Sequence, residues 1–158
     1  MTSKGELYEI ACEQQLKSDY SCKVVRTSIT NDGGKDIIIY SPEGKIFVEC
    51  KDWRDTPVGR PVIQKLHSAV ITEGAVKGII MTTGTYSQEA YDYVKKYNLP
   101  IELKIYIPDK NTYENYENTV NNRNTGFFGR LFAKQPPEKK HNEETKPEGF
   151  FARLYGKK

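Results

Sequence analysis

The segment at residues 36–51, DIIIYSPEGKIFVECK, decides the fold. Two apolar runs flank the turn formers SPEG at 41–44, which predicts a β-hairpin. If the chain reverses at the middle of SPEG, the numbers of paired residues sum to 85 and Asp36 faces Glu49. If it reverses one residue later, the sum is 87 and Asp36 faces Lys51. Because residues i and i+2 point the same way, both registers place Asp36 on the face of Glu49 and Lys51.

The opposite face of this hairpin is wholly apolar, which predicts that it faces the core. An even-numbered sum would turn Asp36 onto that face, where an unpaired charge is costly. The apolar face consists of Ile37, Ile39, Ile46, Val48 and Cys50.

Two carboxylates and a lysine on one patch of sheet predict a divalent-metal site suited to phosphodiester hydrolysis. Mg²⁺ prefers oxygen ligands and is often held by one or two carboxylates together with phosphate oxygens. Asp36 and Glu49 would supply the carboxylates, and the backbone carbonyl of Cys50 is a further candidate ligand. Lys51 would orient the attacking water or stabilise the developing negative charge. The plainer alternative is a set of solvent-exposed charges at strand ends.

Hydrophobic periodicity and turn residues divide the rest of the chain into short elements. They are predicted in the order α-β-β-β-α-β-α-β, which indicates an α/β sandwich with a mixed sheet. The predicted helices are 6–17, 62–73 and 87–97, and the predicted strands are 23–29, 36–40, 45–51, 78–82 and 101–107.

Several short motifs together resemble one nuclease family. The chain has DGGKD at 32–36, ECK at 49–51, an aromatic-Glu pair at 8–9, and GIIMTTG at 78–84. From about residue 7 to 107 this combination resembles the PD-(D/E)xK nuclease superfamily, most closely its Mrr-like restriction endonuclease branch. The resemblance implies a restriction-endonuclease-like sandwich, with a central mixed β-sheet flanked by helices.

The resemblance also implies roles for particular residues. Asp36 and Glu49 would bind Mg²⁺, for which Mn²⁺ can substitute, and Lys51 would be catalytic. A supporting acid in the first helix corresponds to Glu9, with Glu13 as the fallback one turn later.

Other residues near the motif are weaker candidates for the site. Gln64 occupies a helix position where many of these nucleases place a polar active-site residue, although a solvated glutamine is the simpler interpretation. Trp53 and Arg54 directly follow the ECK motif and are candidates for DNA binding, by stacking or phosphate contact. Arg60 and Lys65 are candidates for binding backbone phosphate, whereas Trp53 is equally well explained by packing at the sheet edge.

The sequence therefore predicts a metal-dependent deoxyribonuclease that hydrolyses DNA phosphodiester bonds. One alternative is a Holliday-junction resolvase-like enzyme, which would act as a homodimer. Another is a catalytically silent DNA-binding or adaptor module, against which the intact acidic and basic residues of the hairpin argue.

Composition separates residues 1–110, the predicted nuclease domain, from residues 111–158, a predicted flexible and largely disordered tail. The tail contains GFFGRLFAK at 126–134 and GFFARLYGK at 149–157, a repeat of one amphipathic pattern. Residues 126–158 hold eight Lys/Arg against four Asp/Glu, whereas residues 1–125 have a net charge of −1.

The repeated segments are predicted to dock bivalently onto a protein partner. Binding to an anionic membrane surface and packing against the domain are the alternatives. Because the N-terminus does not resemble a signal peptide and no apolar run approaches the ~18 residues that span a bilayer, we expect a cytoplasmic protein.

Overall fold

The computed structural model describes residues 3–27 and 34–116 of the 158-residue chain. The predicted order of helices and strands is confirmed, with boundaries that differ by a few residues. The elements are α1 (Lys4–Asp19), β1 (Lys23–Arg26), β2 (Ile37–Ser41), β3 (Gly44–Lys51), α2 (Arg60–Thr72), β4 (Lys77–Thr82), α3 (Gln88–Lys96) and β5 (Ile101–Ile105).

The five strands form one mixed sheet in the order β1-β2-β3-β4-β5. The first three strands are antiparallel, and β3, β4 and β5 run parallel to one another. In the hairpin Ile37 pairs with Val48 and Ser41 with Gly44, so the paired numbers sum to 85. The first of the two predicted registers is therefore the one that forms, and the mixed sheet is confirmed.

Helix α1 covers one face of the sheet, while α2 and α3 cover the other. The apolar face of the hairpin packs against α1, as its pattern predicts. This first cluster contains Tyr8, Cys12, Leu16, Val24, Ile37, Ile39, Ile46, Val48, Cys50, Ile79 and Met81. The second contains Phe47, Val58, Ile63, Leu66, Ala69, Val70, Ile80, Tyr86, Ala90 and Ile101.

Local hydrogen bonds define where the helices begin. Ser3 caps α1 by accepting the N–H of Glu6 at 3.2 Å, and Ser87 caps α3 by accepting the N–H of Ala90 at 3.2 Å. The buried Tyr8 hydroxyl donates to the carbonyl of Tyr106 at 3.0 Å, which joins α1 to the chain beyond β5. None of the described helices combines the length and apolar character needed to cross a bilayer.

The described structure continues a short way past the predicted domain boundary. Residues 110–116 are helical, and the partly buried Tyr113 packs against the cluster beneath α1. The segments at 126–134 and 149–157 lie outside the described residues. The division at residue 110 and the flexible tail therefore remain predictions.

Candidate active site

Asp36 stands at the start of β2, where hydrogen bonds fix it on both sides. Its N–H donates to the Val48 carbonyl at 2.7 Å, and its carbonyl accepts the Thr27 N–H at 2.8 Å. Its carboxylate oxygen Oδ2 accepts the N–H of Cys50 at 2.6 Å. This bond holds the Asp36 carboxylate at the end of β3, beside the two other predicted residues of the hairpin.

Glu49 is a buried carboxylate that is only half satisfied. The residue is 2% exposed, and its Oε1 lies 2.5 Å from the Lys51 ammonium nitrogen. Its Oε2 is buried and has no hydrogen-bond partner among the described residues. Burial, reinforced by the Asp36 carboxylate, raises the pKa of Glu49, and Lys51 opposes this only in part. A buried carboxylate with a vacant lone pair suits a cation that brings its own positive charge.

Lys51 carries a positive charge next to Glu49, and its side chain is 24% exposed. Burial alone would lower the pKa of Lys51, but the hydrogen bond that Lys51 donates to Glu49 and the charges of Glu49 and Asp36 outweigh it and raise the pKa. The ammonium is therefore protonated at neutral pH. It also lies 5.8 Å from the centre of the Trp53 ring.

The structure places Glu9, rather than Glu13, toward the hairpin acids. Burial and the Asp36 carboxylate raise the pKa of Glu9 to about 7, while Arg26 and Lys51 lower it. Glu13 instead forms an ion pair with Lys17 at 2.8 Å. The electrostatic coupling of Glu9 to both Asp36 and Lys51 fits the supporting acid that the sequence assigns to it.

The backbone of Cys50, rather than its thiol, faces the hairpin acids. Its buried thiol is hydrogen-bonded to Cys12, and that bond together with burial raises the pKa of the thiol, so it stays protonated. Because a strand residue directs its N–H and C=O toward the same neighbour, the carbonyl of Cys50 lies on the Asp36 side of β3. The carbonyl is thus on the correct edge to serve as a ligand beside Asp36 and Glu49.

The donor set at this edge consists of oxygen atoms, which suit a hard divalent cation such as Mg²⁺ or Mn²⁺. Within 3–27 and 34–116, no three side chains of His, Cys, Asp and Glu gather into a metal-binding cluster. Two carboxylates and one carbonyl leave the remaining positions of an octahedral ion to water and phosphate, which is the usual arrangement for Mg²⁺. The half-satisfied Glu49 is the observation that argues for an ion here.

The predicted DNA-binding residues do not all lie together. The Lys65 side chain crosses Gly34, where an added Cβ would lie 2.5 Å from the Lys65 Cε. The charge of Lys65 lowers the pKa of Glu49, although the larger effect of burial raises it. Lys65 therefore lies beside the hairpin acids. Trp53 is 38% exposed next to Lys51. Gln64 is exposed on α2.

Two of the predicted basic residues have partners elsewhere. Arg60 lies 4.6 Å from the centre of the Tyr93 ring and 3.4 Å from Glu89, both on α3. Arg54 lies beside Tyr113, where its charge opposes the effect of burial, which raises the pKa of Tyr113 to about 12. Arg60 is thus directed to the contact between α2 and α3 rather than to the hairpin acids.

Arg26 is a residue of the site that the sequence did not single out. Its guanidinium lies 3.9 Å from carboxylate oxygens of Glu6, Glu9 and Glu13 along α1. The available signal was strand alternation, because Arg26 shares the face of the buried Val24 and that face packs against α1.

Comparison with known proteins decides the family. Residues 2–105 match the family model Mrr_cat, described as restriction endonuclease. The chain belongs to this restriction endonuclease family. The Mrr-like membership predicted from the hairpin motifs is thereby confirmed.

A curated relative of the chain is consistent with that assignment. Over 73 residues it is 33% identical to the type IV methyl-directed restriction enzyme EcoKMrr of Escherichia coli (strain K12), covering 44% of this chain and 24% of that enzyme. The chain thus spans about a quarter of the length of this curated relative.

Two solved restriction endonucleases share the fold. The DNA modification-dependent restriction endonuclease AspBHI aligns with a TM-score of 0.51 and 21% identity, over 61% of this chain and 27% of AspBHI. MspJI, solved in complex with a 27-mer oligonucleotide, aligns with a TM-score of 0.50 and 13% identity, over 70% of this chain and 27% of MspJI. The predicted restriction-endonuclease-like sandwich is confirmed.

Proposed function

We propose that the chain is a Mg²⁺-dependent endodeoxyribonuclease that hydrolyses DNA phosphodiester bonds at the Asp36, Glu49 and Lys51 cluster, with Mn²⁺ able to replace Mg²⁺. The observation that carries this proposal is the buried Glu49, whose Oε2 has no hydrogen-bond partner among the described residues while Asp36 and Lys51 lie beside it. Membership in a restriction endonuclease family supports the same activity.

The residues of the cluster have distinct proposed roles. Asp36, Glu49 and the Cys50 carbonyl would hold the metal, and the bound metal would acidify a water and stabilise charge on the phosphate. Lys51, held 2.5 Å from Glu49 and protonated, would orient the attacking water or stabilise the developing negative charge. Glu9, coupled to both Asp36 and Lys51, would support the cluster as a further acid.

DNA would approach the cluster from the side where it is open to solvent. Trp53 lies at this opening, next to Lys51, and can stack on a base or contact the backbone. Lys65, whose side chain lies against Gly34, would bind a phosphate of the DNA backbone. Arg54 remains a candidate at the same loop, whereas the contacts of Arg60 with α3 make it the weakest of the predicted DNA-binding residues.

Plasmid cleavage tests the proposal. Closed-circular DNA should be nicked or linearised by the full chain with Mg²⁺ or Mn²⁺ and left intact with EDTA, because cleavage of a circle requires an endonuclease. Asp36→Ala and Lys51→Ala should each abolish this cleavage. Glu43→Ala and Lys45→Ala are matched controls, because both residues are exposed at the opposite end of the same hairpin.

The substrate panel should contain both unmodified and methylated plasmids. EcoKMrr is described as methyl-directed and AspBHI as modification-dependent, so a requirement for modified DNA must be separated from a lack of activity. Cleavage that survives both alanine substitutions at the cluster would refute the catalytic assignment. The cytoplasmic location, a homodimer and a partner for the repeated segments remain predictions from the sequence.

A further inference from the structure

The C-terminal ends of β3 and β4 lie side by side next to the Asp36, Glu49 and Lys51 cluster. β3 and β4 are parallel, and Lys51 pairs with Thr82. Thr82 Oγ1 donates to the Lys51 carbonyl at 2.9 Å, and Thr83 Oγ1 donates to the Asp52 carboxylate at 2.8 Å. The next residue, Gly84, lies against the backbone that follows Asp52.

Gly84 is needed for this close approach. A Cβ at Gly84 would lie 1.9 Å from the backbone oxygen of Trp53 and 3.1 Å from that of Arg54. These atoms belong to the backbone and cannot move aside by rotation of a side chain. We term Thr82, Thr83 and Gly84 the β4 clasp. Its three residues contact, in order, Lys51, Asp52 and the backbone of Trp53 and Arg54.

The Lys51 carbonyl is the most heavily bonded point of this contact. Besides Thr82 Oγ1, it accepts the Trp53 N–H at 2.9 Å and the Thr83 N–H at 3.3 Å. Both threonines are buried, at 0% exposure for Thr82 and 6% for Thr83. Both hydroxyls donate to the residues at the end of β3, and the Thr82 hydroxyl also accepts the Gly84 N–H at 3.2 Å, so both are bonded within the protein.

We propose that Thr82 is a positioning residue that fixes the backbone of Lys51, so that the Lys51 ammonium is held at the metal site. This inference rests on the proposed nuclease function. Asp36 is held by bonds within the hairpin, to the Cys50 N–H and the Val48 carbonyl, whereas Thr82 bonds the Lys51 carbonyl. Loss of the Thr82 hydroxyl should thus disturb Lys51 and leave metal binding unchanged.

Three substitutions at Thr82 separate the hydroxyl from the shape of the side chain. Thr82→Ser keeps the hydroxyl, Thr82→Val keeps the shape, and Thr82→Cys is close in size but carries only a weak donor. If Thr82→Val does not fold, the comparison of Ser with Cys still decides the question. Thr72→Val is the matched control, since Thr72 Oγ1 donates to the Ser68 carbonyl at 2.8 Å on the exposed side of α2.

The assay is plasmid or duplex cleavage by the full chain with Mg²⁺, giving kcat and KM for DNA, together with the Mg²⁺ dependence of thermal unfolding. We expect kcat to fall about ten- to hundredfold for Thr82→Val, since small misplacements of a catalytic group have effects of that size. KM and the Mg²⁺ dependence should stay at wild-type values. Thr82→Ser should keep most of kcat, and Thr82→Cys should lie between.

Two results would overturn the inference while leaving the nuclease function intact. The first is a wild-type kcat in Thr82→Val, or in Thr82→Cys where the valine variant does not fold. The second is an equal loss in Thr82→Ser and Thr82→Val, or a loss of Mg²⁺ binding along with kcat, either of which would show a general structural role. Absence of cleavage by the wild-type chain would instead refute the proposed function, and this inference would fall with it.

Discussion

Replacing Glu49 by glutamine should make the metal-free protein no less stable while it removes activity. Glu49 is buried, and burial and the Asp36 carboxylate raise its pKa above the ordinary 4.5. A raised pKa means that the folded protein favours the neutral acid, so the ionised form lowers the free energy of unfolding at neutral pH. Glutamine has the shape of the neutral acid and can still accept the hydrogen bond from Lys51.

Glu49→Gln should raise the free energy of unfolding and lower the rate of cleavage. Because the raised pKa disfavours the ionised form in the folded protein, Glu49→Gln should raise the free energy of unfolding at pH 7.5 in EDTA. This gain should disappear as the pH falls well below the ordinary glutamate pKa of 4.5, where the wild-type glutamate is protonated in both states. The rate of DNA cleavage should fall by about 10²–10³-fold, as for loss of one main electrostatic group in an active site.

Urea unfolding with and without MgCl₂ measures the stability, and plasmid cleavage measures the activity. At a Mg²⁺ concentration about tenfold above Kd, the wild type should gain about 1.4 kcal/mol, and Glu49→Gln should gain almost nothing. Glu43→Gln in the exposed hairpin turn is the control and should match the wild type.

A loss of about 3–5 kcal/mol by Glu49→Gln in EDTA, the usual effect of breaking a buried ion pair, would refute the assignment of Glu49 as a metal ligand. Glu49 would then be a structural ion-pair partner of Lys51 and not a metal ligand.

Three further predictions address other parts of the molecule. Gly84→Ala should lower both the free energy of unfolding, by about 1–3 kcal/mol, and the rate of cleavage, because its Cβ would lie 1.9 Å from the Trp53 backbone oxygen. Gly5→Ala is the control, because its Cβ would lie 3.9 Å from its nearest neighbour, and it should lower neither quantity. Urea unfolding and plasmid cleavage measure the two effects. The pKa of Glu9 is raised from 4.5 to about 7, so wild-type stability should fall as pH rises through this range, and urea unfolding of Glu9→Gln should show a flatter pH dependence; identical slopes would contradict the raised pKa. Deleting residues 126–158 should leave plasmid cleavage and the unfolding midpoint close to wild type, and unfolding of the truncated chain would show that the tail belongs to the core.

The local part of the fold could be predicted from sequence because each element carries its own pattern. The turn at 41–44 left two registers for the hairpin. Both of them turn the apolar face toward the core. The turn alone could not choose between them, because the choice depends on the backbone bonds that place Ile37 opposite Val48. The grouping of Asp36, Glu49 and Lys51 did not depend on that choice.

Contacts between distant elements were harder to predict. Arg60 and Lys65 are neighbours in sequence, yet five residues rotate a helix by about 140°, so one faces α3 and the other faces Gly34. The bond between Thr82 and Lys51 depends on the register of two parallel strands joined by a helix. No local turn fixes that register, so the sequence carries little signal for it.

The central claim is that the cluster of Asp36, Glu49 and Lys51 cleaves DNA with a bound metal. Nicking of a closed-circular plasmid by Asp36→Ala, beside the wild type and Glu43→Ala, tests it most directly when Mg²⁺ is titrated in each reaction. The account predicts Mg²⁺-dependent nicking by the wild type and Glu43→Ala, and none by a folded Asp36→Ala protein. Nicking by Asp36→Ala at the wild-type rate, or nicking by the wild type in EDTA, would contradict it.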